Sequence, residues 1–162
     1  MGSAQLSGAE FSEEISFDFS ELFNATSNDA AYIGMNTPNQ TVVADGINRI
    51  ISGALINKTV SGIGYYPANL QLTGTITLSG NNSEFNEKAF IVGDDSSNTT
   101  ITLTNPTSLP NTDTTVEANG TLVLAGSESY TLSNDITVKS GGHLNAPKHI
   151  TITNGATLKF EA

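Results

Sequence analysis

The sequence predicts an all-β fold, a right-handed parallel β-helix with an N-terminal cap. Three observations predict it. A 22-residue period runs through the last third of the chain: Val116, Val138 and Phe160 share one register, Gly120 and Gly142 a second, and Leu122 and Leu144 a third. Tyr130 pairs with Ile152 and Ile136 with Leu158 at the same offset. A fixed period of this size marks a solenoid, whose small unit cannot bury its apolar face alone and stacks until neighbours bury it. From about residue 57 the chain also turns to short β-runs rich in Thr, Val, Ile and Leu, separated by Gly, Asn, Asp and Ser. Finally, these apolar residues arrive in alternating runs, which a disordered acidic tail does not show.

The elements follow in chain order. Residues 9–24 hold four of the seven phenylalanines. Phe11, Ile15, Phe19, Leu22 and Phe23 share a helical face, while Ile15, Phe17 and Phe19 alternate as in a strand. Asp18 and Glu21 stand as in a capping box, which places a short helix at about 18–24. Aromatics gathered at one end are what a plug over an open β-core requires. Ile47, Ile50, Ile51, Ala54 and Leu55 fit the amphipathic-helix template, with Asp45 as N-cap; Gly46 and Gly53 count against it, and strands of an early rung are the alternative. Residues 1–56 are therefore assigned to the cap region and 57–162 to a solenoid of about four to five rungs.

Within 57–162 the β-runs are Leu70–Leu78, Ala89–Val92, Thr100–Thr104, Thr114–Glu117, Thr121–Leu124, Tyr130–Leu132, Asp135–Lys139, His149–Thr153 and Ala156–Phe160. Their turns, such as Asn119-Gly120, Ser140-Gly141-Gly142 and Asn154-Gly155, would equally serve hairpins, so an antiparallel β-sandwich is the alternative fold. The repeat decides between them. A sandwich has no reason to repeat side-chain identity at a fixed offset. In a parallel coil equivalent positions lie directly over one another, about 4.8 Å apart.

Ile56-Asn57-Lys58-Thr59-Val60-Ser61-Gly62-Ile63-Gly64 is similar to an early rung of pectate-lyase-like parallel β-helices. Residues 115–122, 137–144 and 151–158 resemble the repeats of bacterial surface β-helices, the autotransporter passengers and large secreted adhesins. The resemblance covers about residues 56–162 and implies an architecture and an exported, adhesive or scaffold-like protein. It carries over no catalytic residue, because the lyase Asp and Arg constellation has no match here.

Composition narrows the function classes. Sixteen acidic against six basic residues give a net charge of −10, which argues against binding nucleic acid or anionic membranes through bulk electrostatics. Without cysteine the chain forms no disulfide, thiolate nucleophile or Cys-bound zinc. No stretch approaches the roughly 20 apolar residues of a membrane helix. Met1-Gly2-Ser3-Ala4 shows neither a basic nor an apolar leader region, and Met1–Ser3 reads as a scar of a removed leader. The polar, lysine-poor, cysteine-free surface fits an exported protein.

Each residue with chemistry has a plainer reading. A calcium-dependent lyase needs several carboxylates and a cationic base, but Asp94-Asp95 is the one Asp pair, in a turn where Asp is favoured, and Arg49 is the one arginine. A hydrolase needs two or three carboxylates across a cleft; Glu117 and Asp135 read as surface decoration. His143 and His149 lack a third ligand, and His143 reads as an exposed corner residue. Thr-x-Thr steps at 75–77, 100–102 and 151–153 have the composition of an ice-binding face, but offsets of 25 and 51 are not multiples of one rung. Asn24, Asn39, Asn57, Asn81, Asn98 and Asn119 begin glycosylation sequons, which would mark surface loops.

No catalytic, metal-binding or cofactor-binding residue is assigned. The expectation is an extracellular, non-enzymatic structural or adhesive module that meets glycans or protein partners through stacked Thr, Ser and Asn. A polysaccharide-binding or polysaccharide-cleaving β-helix is one alternative. The other is a filament subunit, because the last run reaches Phe160 with nothing after it to cover the coil, which is either part of a longer coil or stacks on another copy.

Overall fold

The structure is a computed structural model that describes residues 4–6, 15–16, 30–35, 38–57, 66–146, 150–153 and 155–162. The strands follow the winding. β1 (Ala4–Leu6) and β2 (Ile15–Ser16) come first, then β3 (Ala30–Met35), β4 (Thr41–Ile51) and β5 (Ala54–Ile56). Next are β6 (Tyr66–Pro67), β7 (Asn69–Leu78), β8 (Phe90–Val92), β9 (Thr99–Leu103) and a 3-10 turn, η1 (Pro106–Ser108). The repeat region supplies β10 (Thr114–Val116), β11 (Gly120–Leu124), β12 (Tyr130–Leu132), β13 (Ile136–Val138), β14 (His143–Asn145), β15 (Ile150–Ile152) and β16 (Leu158–Phe160). The helix expected at 18–24 lies outside the described residues. So do the aromatic plug beyond Ser16, the resemblance segment from Lys58 to Gly64, and His149.

Among the described residues strand pairing is parallel except for the short β3–β6 contact. One face stacks β2, β4, β7, β8, β10, β13 and β16 in that order. A second stacks the C-terminal halves of β4 and β7 with β9, β11 and β14. The third holds β1, β3 and β5 at one end of the coil and β12 and β15 at the other. The chain is a parallel β-solenoid, and the sandwich alternative is excluded by these parallel pairings. The coil does not wait for residue 57: β4 already lies in register under β7, from Thr41 against Asn69 to Ile51 against Leu78.

Period-2 alternation sends one row of each strand inward. On the first face Leu72, Val92, Val116 and Val138 form one inward column, each buried and each over the last. Phe160 continues it on the last described coil and is 61 % exposed. On the second face Ile76, Ile101 and Leu122 are buried in a column that Leu144 extends. Burying a side chain of this kind contributes about 1.5–3 kcal/mol, and one column supplies several.

Corners are set by close approach. Asn119 (φ 65°) and Gly141 (φ 88°) occupy the same turn in successive coils, in the left-handed region. The following Gly142 has no room for a side chain: a Cβ there would lie 2.8 Å from the Glu117 carbonyl oxygen of the coil below. Gly120 meets the Val92 carbonyl in the same way. This is why the two glycines share a register.

Two expectations need correction. Residues 45–56 are not a helix but the end of β4 and β5. Between Gly46 and Arg49 the strand carries one residue more than its partner between Gly74 and Ile76, and Asn48 adopts φ 53°. This bulge turns Ile47 and Ile50 outward, 75 % and 58 % exposed, while Ile51 and Leu55 stay buried. A bulged strand mimics helical spacing because it breaks the alternation. Tyr130 stacks on Ile150, not on Ile152, which lies against Leu132. The offset on the third face is 20 residues, while Ile136 over Leu158 and Leu122 over Leu144 hold at 22. The path from β14 to β15 is two residues shorter than the path from β11 to β12, and the path from β15 to β16 returns them. A slip of two keeps each side chain on its own face, so the pattern alone does not register it.

Candidate functional site

The outer surface of the second face carries the most regular polar array among the described residues. Thr75 lies beside Thr100, and Thr100 beside Thr121; one position pair along, Thr77 lies beside Thr102. Thr100 is followed by Thr121 after 21 residues and preceded by Thr75 at 25, yet all three align. Offsets need not be multiples of one rung, because the corners absorb the difference: the turn after Val92 runs through Gly93 to Asn98, where the next coil needs only Glu117 to Asn119. Two of the three Thr-x-Thr steps are therefore brought together and joined by Thr121. The third, Thr151–Thr153, belongs to the third face, where Thr151 stacks on Thr131. His143 and Asn145 follow Thr121 and Val123 at the next level. His143 is exposed as expected, but it opens a strand and is not a corner residue.

The five threonine hydroxyls are uncharged and spaced by strand geometry, about 4.8 Å between coils and about 6.6 Å between alternate residues of one strand, with Ile50 and Val123 flanking the Thr77–Thr102 pair. β-Branched threonine has few χ1 choices, so the hydroxyls are held in place before any ligand arrives.

Three aspartates, Asp94, Asp113 and Asp135, accept backbone N–H groups. Asp94 Oδ1 accepts the Ser96 and Ser97 N–H groups, both at 3.1 Å, and the Ser97 hydroxyl at 3.3 Å. The Ser96 N–H is the largest influence on Asp94 and, with the Ser97 N–H and the serine hydroxyls, holds its carboxyl below the usual aspartate value against the opposing effect of burial. Asp95 takes φ 64° in the same turn. Asp113 Oδ1 accepts the Asp135 N–H at 3.1 Å, and Asp135 Oδ1 accepts the Thr157 N–H at 2.8 Å. This ladder of aspartates climbs the corner before the first face. Asp113 was missed as a partner of Asp135, although it stands one 22-residue period away. Glu117 pairs with Lys139 of the next coil at 3.0 Å. That hydrogen-bonded pair raises the lysine pKa. Arg49 sits in the β4 bulge, away from these groups along the chain. Among the described residues no three His, Asp or Glu side chains come within reach of one metal ion.

The sequons divide. Asn39, Asn81, Asn98 and Asn119 are exposed. Asn57 is wholly buried, and this corrects its reading as a surface-loop position. Its Nδ2 donates to the Ile33 and Ala68 carbonyls at 3.1 and 3.0 Å, and its Oδ1 accepts the Glu87 N–H at 3.1 Å. Asn82 does the same for the neighbouring level: it accepts the Leu55 N–H at 2.9 Å and donates to the Ser108 carbonyl at 2.8 Å. These are buried braces between coils, and enzymes that glycosylate asparagine do not reach Asn57 in the folded chain. Asn24 lies outside the described residues.

Comparison with family models, with curated proteins and with solved structures finds no match.

Proposed function

We propose that this chain is an extracellular, non-enzymatic β-solenoid module that holds glycans or protein partners against its outer surface. The observation that carries the reading is the preset array of uncharged threonines, Thr75, Thr100 and Thr121 with Thr77 and Thr102, on a strongly acidic chain. Repeated hydroxyls at fixed spacing suit a repeating, hydroxyl-rich ligand, to which each contact adds a weak hydrogen bond. Asp94, Asp113 and Asp135 accept backbone N–H groups of a turn or of the next coil, as suits a scaffold. The repeats at 115–122, 137–144 and 151–158 resemble those of secreted bacterial adhesins, which supports the extracellular assignment.

A glycan array probed with the intact chain and with a Thr100→Lys, Thr121→Lys variant tests the reading. Both positions are outward, so the variant keeps the fold and loses the bound glycans. Equal binding by the two proteins removes the threonine face as the contact surface.

A second reading is assembly into filaments, favoured by Phe160 and Ile152, which face the core direction yet are 61 % and 46 % exposed on the last described coil. Among the described residues β14, β15 and β16 have no strand partner on their outer edges, and a sheet edge of this kind templates pairing with another strand. Light scattering across a concentration series separates the readings: growth of mass with concentration supports assembly, and a constant monomer mass contradicts it.

A further inference from the structure

We infer that a second site, a neutral cavity at the corner between the third and first faces, receives a single uncharged sugar ring. The cavity measures about 160 Å³ and is lined by residues of three successive coils, from Ser83 through the η1 turn to Ile136. Drug-sized ligands occupy roughly 300–1,000 Å³, so this space takes one small ring and no more.

Its chemistry selects the ligand class. No lining residue is ionisable, in a chain with 22 charged side chains. A charged ligand would find no counter-charge, and an anion would also meet the chain's net charge of −10. The lining is mixed. Pro106 and Leu109 are half-buried apolar residues, and Pro110 and Leu132 are buried. The polar part includes an amide pair held in place: Asn134 Nδ2 donates to Asn111 Oδ1 at 2.7 Å, and the Ser133 hydroxyl approaches the same oxygen at 3.4 Å. This leaves Asn111 Nδ2 as a donor, Asn134 Oδ1 as an acceptor and the exposed Thr131 hydroxyl as either. Neutral donors and acceptors together with apolar lining suit a sugar ring, which offers vicinal hydroxyls on its rim and C–H groups on its face. The Asn pair is braced before binding, so little side-chain entropy is lost on occupation.

The inference rests on the glycan-binding reading and names a site distinct from the threonine face. The test is NMR titration of the ¹⁵N-labelled chain with methyl glycosides of glucose, galactose, mannose and N-acetylglucosamine, and with glucuronate as the charged comparator. A ligand of about twelve non-hydrogen atoms supports affinity in the millimolar range. The expected result is saturable movement of the Asn111 and Asn134 side-chain amide signals with at least one neutral glycoside, and weaker movement with glucuronate. Asn134→Leu should weaken that binding about tenfold or more, while Ser127→Ala, exposed and outside both the cavity and the threonine face, leaves it unchanged. If Asn134→Leu does not fold, the signal map on the unsubstituted chain decides alone. Movement confined to Thr75, Thr100 and Thr121 would remove the cavity and leave the glycan reading standing. No movement with any neutral glycoside at tens of millimolar, or a preference for glucuronate, overturns the inference.

Discussion

The Tyr130 side chain is 1 % exposed, and its hydroxyl faces two carbonyl oxygens, Ala125 at 2.7 Å and Leu103 at 3.1 Å. Neither welcomes a phenolate. Burial, with a smaller contribution from Glu128, pushes the phenol pKa up to about 12. The folded state thus holds this proton more tightly than the unfolded chain does. The stability it contributes is complete below pH 10 and is lost as pH rises toward 12. Urea unfolding at pH 8 and pH 11 should show a loss that Tyr130→Phe reduces, at a cost of about 1 kcal/mol at pH 8 for the missing hydrogen bond. Equal pH dependence in both proteins would contradict this. Glycine makes a second prediction. Gly142→Ala, with its Cβ against the Glu117 carbonyl, should cost about 1–3 kcal/mol by urea unfolding. Gly155→Ala, with nothing near its Cβ, should show only the cost of its positive φ, 73°. The shared register of Gly120 and Gly142 was legible in the sequence; the carbonyl that enforces it was not, because it belongs to the coil below.

At the scale of the element, register is what the structure adds. The sequence was read correctly on the first two faces, where Val116, Val138 and Phe160 align and where Leu122 meets Leu144. It was misread on the third face, because two residues move from one corner to the next without changing which side chains point inward. A chain without cysteine makes the register directly testable. Thr131→Cys with Thr151→Cys places two thiols on adjacent outward positions and should form a disulfide under mild oxidation. Thr131→Cys with Thr153→Cys should not; the reverse outcome would restore the 22-residue offset on this face. The same variable corners hid the threonine array. Thr75, Thr100 and Thr121 align only once coils of 25 and 21 residues are allowed, and the β4 bulge hid two strands behind helical spacing. The cavity at Asn111 and Asn134 was hidden for another reason: its lining at 109–114 and 131–136 stands one 22-residue period apart, but the residue types at matching positions differ.

The whole molecule is a stack in which each coil contacts its neighbours, so stability is close to a sum of coil and interface contributions. Middle coils are covered on both sides and the last described coil on one. Hydrogen exchange should therefore be slowest at Leu122 and Val116, and faster at Leu158 and Phe160; uniform protection would mean one all-or-none unit. Phe90, wholly buried between Leu70 and Thr114, is expected to cost about 3–5 kcal/mol as Phe90→Ala, read by urea unfolding, because both neighbouring coils lose their contact. The claim beneath all of this is parallel stacking of coil on coil. Interstrand NOEs in the ¹⁵N,¹³C-labelled chain test it most directly. The account predicts backbone contacts linking Val92, Val116, Val138 and Phe160 in sequence, and Ile101, Leu122 and Leu144 likewise. Cross-strand Hα–Hα contacts of antiparallel pairing between consecutive runs, such as Thr114–Val116 against Gly120–Leu124, would contradict it.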